Sequence, residues 1–223
     1  MTKAVKAAQR MSHSERTERS DSRMFEVTIE SIVEVGTERT KLKDVGERAG
    51  YSRGLAGFRF KSKEGLFCYA IKRIAEYWLN EMTQATKGKS GYDAICAVTD
   101  AHYQFCKISP TEVRAFYILW FESVGLKNDV QDIVVDIHKK RLNDIVYWIE
   151  KGINIGELSK NIDADAVAKQ YMMTISGIIY QWLTDTEQDS EIEALHDNLK
   201  RTMRLLLPVA SSSQPSLFKA VER

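Results

Sequence analysis

Only three prolines, Pro110, Pro208 and Pro215, fall in 223 residues, and proline is the residue that most sharply stops a helix. Between these stops, apolar side chains recur at the three- and four-residue spacing of a single helix face. Met24, Phe25, Thr28, Ile29, Ile32, Val33 and Val35 form one such series, which Gly36 ends. Thr40 is placed to N-cap a short helix carrying Leu42, Val45 and Ala49, and Ser52 to cap another reaching about Phe60. Ser62 opens a longer helix to about Lys87, and Ser90 opens one to Lys107. Ser109-Pro110-Thr111-Glu112 puts proline at the first helical position and glutamate two further on, so a helix starts there and runs to Gly125. Asn128 to Gly152, Ala164 to about Asp185, and a last helix capped by Ser190 and ending before Pro208 complete the series. No stretch alternates as a strand, so the expected fold is all-α: about nine helices, with an N-terminal three-helix helix-turn-helix domain followed by a helical bundle.

A chain of 25.5 kDa with 43% hydrophobic and 28% charged residues can bury a core, which excludes bulk disorder. Three cysteines, an odd number without CxxC spacing, suit reduced thiols rather than a disulfide framework. No apolar run approaches the roughly 18 residues of a membrane span, and the first residues lack the apolar core of a signal peptide, so a cytoplasmic location is expected. Net charge is +1 overall but uneven: residues 1–65 hold 14 basic against 10 acidic residues. Within Arg39–Gly65 the count is 8 against 3. Phosphate is a natural partner for that segment, although such a run is also what a solvated face looks like. The expected organisation is a mobile basic arm at 1–21, a helix-turn-helix domain at 22–66, a helical-bundle domain at 67–208 and a flexible tail at 209–223.

The run Thr40-Lys41-Leu42-Lys43-Asp44-Val45-Gly46-Glu47-Arg48-Ala49-Gly50-Tyr51-Ser52-Arg53-Gly54, followed by Phe60-Lys61-Ser62-Lys63-Glu64-Gly65-Leu66, resembles the TetR family of bacterial transcription regulators. With the preceding helix the resemblance covers about 45 residues, and the number and length of the later helices agree with it. The sequence departs from the family pattern at the end of the third helix. Gly57 stands where an aromatic is usual, Ala56 replaces a larger aliphatic residue, and Phe58 and Arg59 occupy polar or histidine positions. Either Phe58 or Arg59 then takes over the phosphate contact, or the half-site is read differently.

The resemblance implies that Thr40, Lys41, Lys43, Ser52, Arg53, Gly54, Leu55, Gly57, Phe58, Arg59 and Lys63 meet DNA. Arginine can grip guanine or phosphate with two prongs, whereas lysine acts as a point charge. Thr40 and Ser52 serve as caps in either case, and Leu55 suits a thymine methyl nearly as well as the core. It also implies that 67–208 is a ligand-binding and dimerisation domain, with a cavity lined by Trp78, Tyr103, Phe116, Tyr117, Trp120, Tyr147, Trp148 and Tyr171, each of which is otherwise an ordinary core aromatic. His102 and Cys106 share a helix face, yet no third ligand stands at recognisable spacing, so neither a metal nor a cofactor is expected. No nucleophile and base fall into a constellation, and no enzyme is expected. The reading is a ligand-responsive regulator, expected to repress, that binds a near-palindromic operator as a homodimer joined through the last two long helices and leaves it when a small apolar or amphipathic effector binds. The alternative is an all-α small-molecule-binding or interaction protein with little DNA affinity.

Overall fold

The helix punctuation sets the architecture. In the computed structural model, which describes residues 12–184 and 191–210, the elements are α1 (His13–Arg39), α2 (Leu42–Arg48), α3 (Arg53–Phe60), α4 (Lys63–Thr86), α5 (Gly91–Ile108), α6 (Pro110–Glu122), α7 (Asp129–Asn154), α8 (Ala164–Thr184) and α9 (Glu191–Leu206). No strand occurs among the described residues beyond an isolated bridge between Leu158 and Val209. The fold is all-α, as expected.

Several helix starts are capped where the sequence places them. The Ser52 hydroxyl accepts from the Leu55 N–H at 3.2 Å, Ser62 from Gly65 at 3.0 Å, and the Asn128 carbonyl oxygen from Gln131 at 3.0 Å. Two other caps differ. Lys41, not Thr40, precedes α2 and makes no side-chain cap; Thr40 closes α1 instead, its hydroxyl donating to the Gly36 carbonyl at 2.8 Å. Ser90 precedes α5, but its hydroxyl goes to Glu157 at 2.9 Å rather than to the helix start.

The largest departure is at the N-terminus. Residues 13–21, expected in a mobile arm, form the first turns of α1, because Ser12 and Glu15 make a reciprocal capping box that needs no apolar periodicity. Residues 1–11 lie outside the described part. At Gly36 the backbone leaves the helix with φ of +80°, and the chain then turns once more to Arg39. The Ser190 cap and residues 211–223 also lie outside the described residues. The first two tail positions are held rather than loose: Val209 pairs with Leu158, and the Ala210 N–H donates to the Glu157 carbonyl at 3.1 Å.

The chain divides into two compact units that do not follow the boundary expected at residue 66. The first comprises residues 1–75 and 110–134, and the second comprises residues 76–109 and 135–223. In the first, α2 and α3 pack on each other and α6 lies along α1; in the second, α9 packs on both α5 and α8. On α8, Ile175, Ile178 and Ile179 are buried within the protomer, whereas Met173 and Tyr180 are exposed. The apolar excess of this helix is real, but it sits on a different face from the isoleucines.

Candidate nucleic-acid interface

A small core aims α3 outward. Met24 and Val27 of α1, Val45 and Ala49 of α2 with its end, Ala56 and Phe60 of α3, and Leu66 of α4 are buried together, with Leu42, Tyr51 and Leu55 packed at the edge. The turn between α2 and α3 passes through Gly50 at φ of +82°, and the Tyr51 N–H closes it on the Gly46 carbonyl at 2.9 Å. Ala56 explains itself in this setting. A Cβ at Gly46 would lie 3.1 Å from the Ala56 Cβ, so the two helices are already near contact and the larger aliphatic residue of the family pattern has no room. Leu55, partly buried against this cluster, takes the packing option.

The opposite side of α3 is exposed and carries Arg53, Gly54, Phe58 and Arg59, while Lys41 and Lys43 are exposed at the start of α2. Gly57 is half-buried, yet a Cβ there would meet nothing within 4 Å. Phe58 is 68% exposed, and the Lys61 ammonium sits 4.6 Å from the centre of its ring.

Three of the expected cations are engaged within the chain. Arg53 pairs with Glu47 across the turn, and both remain well exposed. Arg59 reaches back to α1, where both oxygens of Asp21 accept from its guanidinium, one of them from Nε at 2.9 Å. These partners hold both guanidinium groups above their ordinary proton affinity, so both stay charged. The Lys63 ammonium donates to the Glu38 carbonyl at 2.9 Å, which makes it a brace for the end of α1. Thr40 is 2% exposed with its hydroxyl committed to Gly36, so the side chain is turned away from any surface ligand. Sequence reasoning missed Asp21 and Glu47 as the anions that orient these arginines. Glu47 sits six residues from Arg53 across a turn, a spacing with no helical meaning, and Asp21 lay in the segment read as arm.

The eight expected cavity residues do not form one group. Phe116, Tyr117 and Trp120 contact one another in the first unit, with ring centroids 5.2 to 6.2 Å apart. In the second unit, Trp78 is buried and stacks on Phe105 at 5.6 Å, and the Tyr171 hydroxyl meets that of Thr99 at 3.1 Å. Trp148 is also buried there, and the Tyr103 hydroxyl donates to Glu193 at 3.0 Å. Tyr147 is 59% exposed and cannot line an interior. A cavity of about 240 Å³ lies within the first unit, bordered among others by Thr37, Phe67, Leu119 and Val130, and none of the eight borders it.

Residues 25–70 match the profile of the bacterial regulatory proteins of the tetR family. Over 177 residues, 77% of this chain and 84% of the other, the sequence is 23% identical to an uncharacterized HTH-type transcriptional regulator, YfiR, of Bacillus subtilis strain 168. The fold is that of a Saccharomonospora viridis protein solved in complex with choline, with a TM-score of 0.75 at 18% identity over 86% of this chain and 98% of that one. It is likewise that of SmeT, the repressor of the Stenotrophomonas maltophilia multidrug efflux pump SmeDEF, with a TM-score of 0.70 at 16% identity over 86% and 91%.

Proposed function

With residues 25–70 forming a helix-turn-helix of the TetR family of bacterial regulators, we propose that the chain is a ligand-responsive repressor that binds a near-palindromic operator as a homodimer. The observation that carries this reading is the outward face of α3. A capped eight-residue helix, held from behind by Ala56 and Phe60, presents Arg53 and the bare ring of Phe58. Such a helix fits the major groove, where an arginine fork reads guanine and an apolar group meets a thymine methyl. Lys41, Lys43 and Lys61 supply phosphate contacts, and the Arg53–Glu47 pair opens onto the base edge when DNA arrives.

The second subunit docks on α8 and α9, whose exposed apolar residues Met173, Tyr180 and Leu205 want cover. The effector binds within the second unit against Trp78, Trp148 and Tyr171, with Tyr103 at the rim. An apolar lining with few polar handles suits an apolar or amphipathic molecule. The SmeT fold likeness supports the repressor reading, and the choline complex of the Saccharomonospora viridis protein makes an amphipathic cation the first effector to try.

The test is to select fragments of the source genome on the purified protein and to measure affinity for the enriched fragment at several salt concentrations. The expected result is one near-palindromic sequence whose affinity falls steeply as salt rises. A protein that enriches no sequence, yet binds small molecules, is the all-α binding protein instead.

A further inference from the structure

Behind the aromatic residues of the second unit, a cluster of donor atoms has no part in the function proposed above. His102 and Cys106, one turn apart on α5, face His196 of α9, and all three are buried at 4%, 2% and 2% exposure. The His102 Nδ1 lies 2.9 Å from the His196 Nε2 and 3.9 Å from the Cys106 Sγ. One donor atom from each residue falls within 4.8 Å of the other two. A thiol packs in a core as a small hydrophobe, but two imidazoles there must be given hydrogen-bond partners that aliphatic side chains of equal volume would not need.

The hydrogen bonds set the tautomers. His196 Nδ1 lies 2.6 Å from the Ile192 carbonyl and so carries the proton it donates there. Its Nε2 then presents a lone pair toward α5, which the His102 N–H satisfies in the metal-free chain. An imidazole whose far nitrogen is anchored on a backbone carbonyl is the usual arrangement of a metal-ligating histidine.

We propose that His102, Cys106 and His196 bind a soft monovalent ion, Cu(I), which ties α5 to α9 within the second unit. Metal–nitrogen and metal–sulfur bonds of about 2.0 and 2.3 Å place the donors of one ion roughly 3.3–3.8 Å apart. The sulfur stands 3.9 Å from the His102 Nδ1 and within 4.8 Å of the His196 nitrogen, so it must draw in as the ion binds, while the two nitrogens, now 2.9 Å apart, separate by about half an ångström as the shared proton leaves. Binding forms one Cu–S and two Cu–N bonds; the thiol proton goes to solvent, and the His102 proton moves from Nδ1 to Nε2. A thiolate and Cu(I) sum to zero charge, which an apolar interior accepts. A divalent ion would leave a net positive charge among three side chains that are all buried. Zinc also wants a fourth ligand, and this cluster offers three such donors among the described residues.

The test titrates the reduced full chain, under anaerobic conditions, with Cu(I) delivered from bicinchoninate. The native chain should withdraw one equivalent, and X-ray absorption should show one sulfur and two nitrogen neighbours. Cys106→Ala and the near-isosteric Cys106→Ser should each lower the affinity by more than about 100-fold, since even outer-shell changes at metal sites cost 10–100-fold. Circular dichroism of both metal-free variants identifies the folded one to be scored. Replacing the other two thiols, Cys68→Ser with Cys96→Ser, should leave the equivalent in place. The assignment is overturned if the native chain takes no Cu(I) from the chelator, if both Cys106 variants bind it as tightly as the native chain, or if zinc is held more tightly than Cu(I) at these residues.

Discussion

At position 57 the third helix carries a glycine that nothing nearby requires, because a Cβ there would meet open space. Glycine inside a helix costs about 0.5–1 kcal/mol against alanine, so Gly57→Ala should stabilise the protein by that amount in urea unfolding. Gly65 is the opposite case. A Cβ there would collide with the Phe60 carbonyl oxygen, which is backbone and cannot give way, so Gly65→Ala should destabilise by about 2 kcal/mol or more. Equal effects of the two substitutions would mean that the turn before α4 is not packed as described. If DNA backbone passes close to Gly57, the stabilised Gly57→Ala variant will also bind operator less well. Beside it, Phe58 offers a cleaner probe, since an exposed ring contributes little to folding. Phe58→Ala should leave the unfolding midpoint unchanged and weaken operator binding about tenfold, the scale of one lost base-edge contact. Unchanged affinity would return the contact to Arg59, which must then let go of Asp21. Residue types and their order make the basic patch legible in the sequence, but not that Asp21 and Glu47 hold its arginines, because those pairs depend on how helices meet.

Helices announce their ends when the signal is local. Ser52 and Ser62 cap where a reading of the chain places them, since an N-cap needs only a short acceptor and a following N–H. The signals fail in two physical situations. At Thr40 two helices compete for one residue, and the hydroxyl goes to the Gly36 carbonyl near the end of α1 instead of the amides at the start of α2. At Ser12 a polar helix start has no apolar stripe to reveal it, although its capping box is fully formed. His196 marks a third limit: no spacing on α5 can foretell a partner that arrives from α9, 94 residues from His102. Ser52 allows cap and phosphate contact to be separated. Ser52→Ala should cost about 1 kcal/mol of stability. Ser52→Asp keeps the cap and places a negative charge at the start of α3, so stability should hold while operator affinity drops through repulsion from phosphate. If Ser52→Asp binds operator as well as the native chain, the start of α3 does not approach the DNA backbone.

For the whole molecule, the proposed homodimer makes assembly and operator binding one linked equilibrium. A half-site contact by one helix-turn-helix is weak, and two half-sites on one operator are reached together only if two protomers are joined, which converts the second contact into an intramolecular one. The surface available for joining is the exposed part of α8 and α9. Substitution at Ile175 or Ile179 cannot test it, because both are buried within the protomer and a charge there would unfold the chain. Met173 and Tyr180, one exposed stripe seven residues apart on α8, are the positions to change. Met173→Glu with Tyr180→Glu should leave helicity and unfolding midpoint near native values, since neither side chain contributes much to the protomer core. Light scattering should then show the native mass, about 51 kDa for twice 25.5 kDa, fall to that of a single chain. Operator affinity should fall with it, and by linkage saturating operator must drive the variant back toward the dimer by the same free energy. Binding to an isolated half-site, measured at low salt, should be nearly unaffected, because α3 and its core are untouched. A variant that dissociates yet holds the full operator as tightly as before would break the link between α8 and DNA recognition, and a native chain that scatters as a monomer at every concentration would remove the dimer itself.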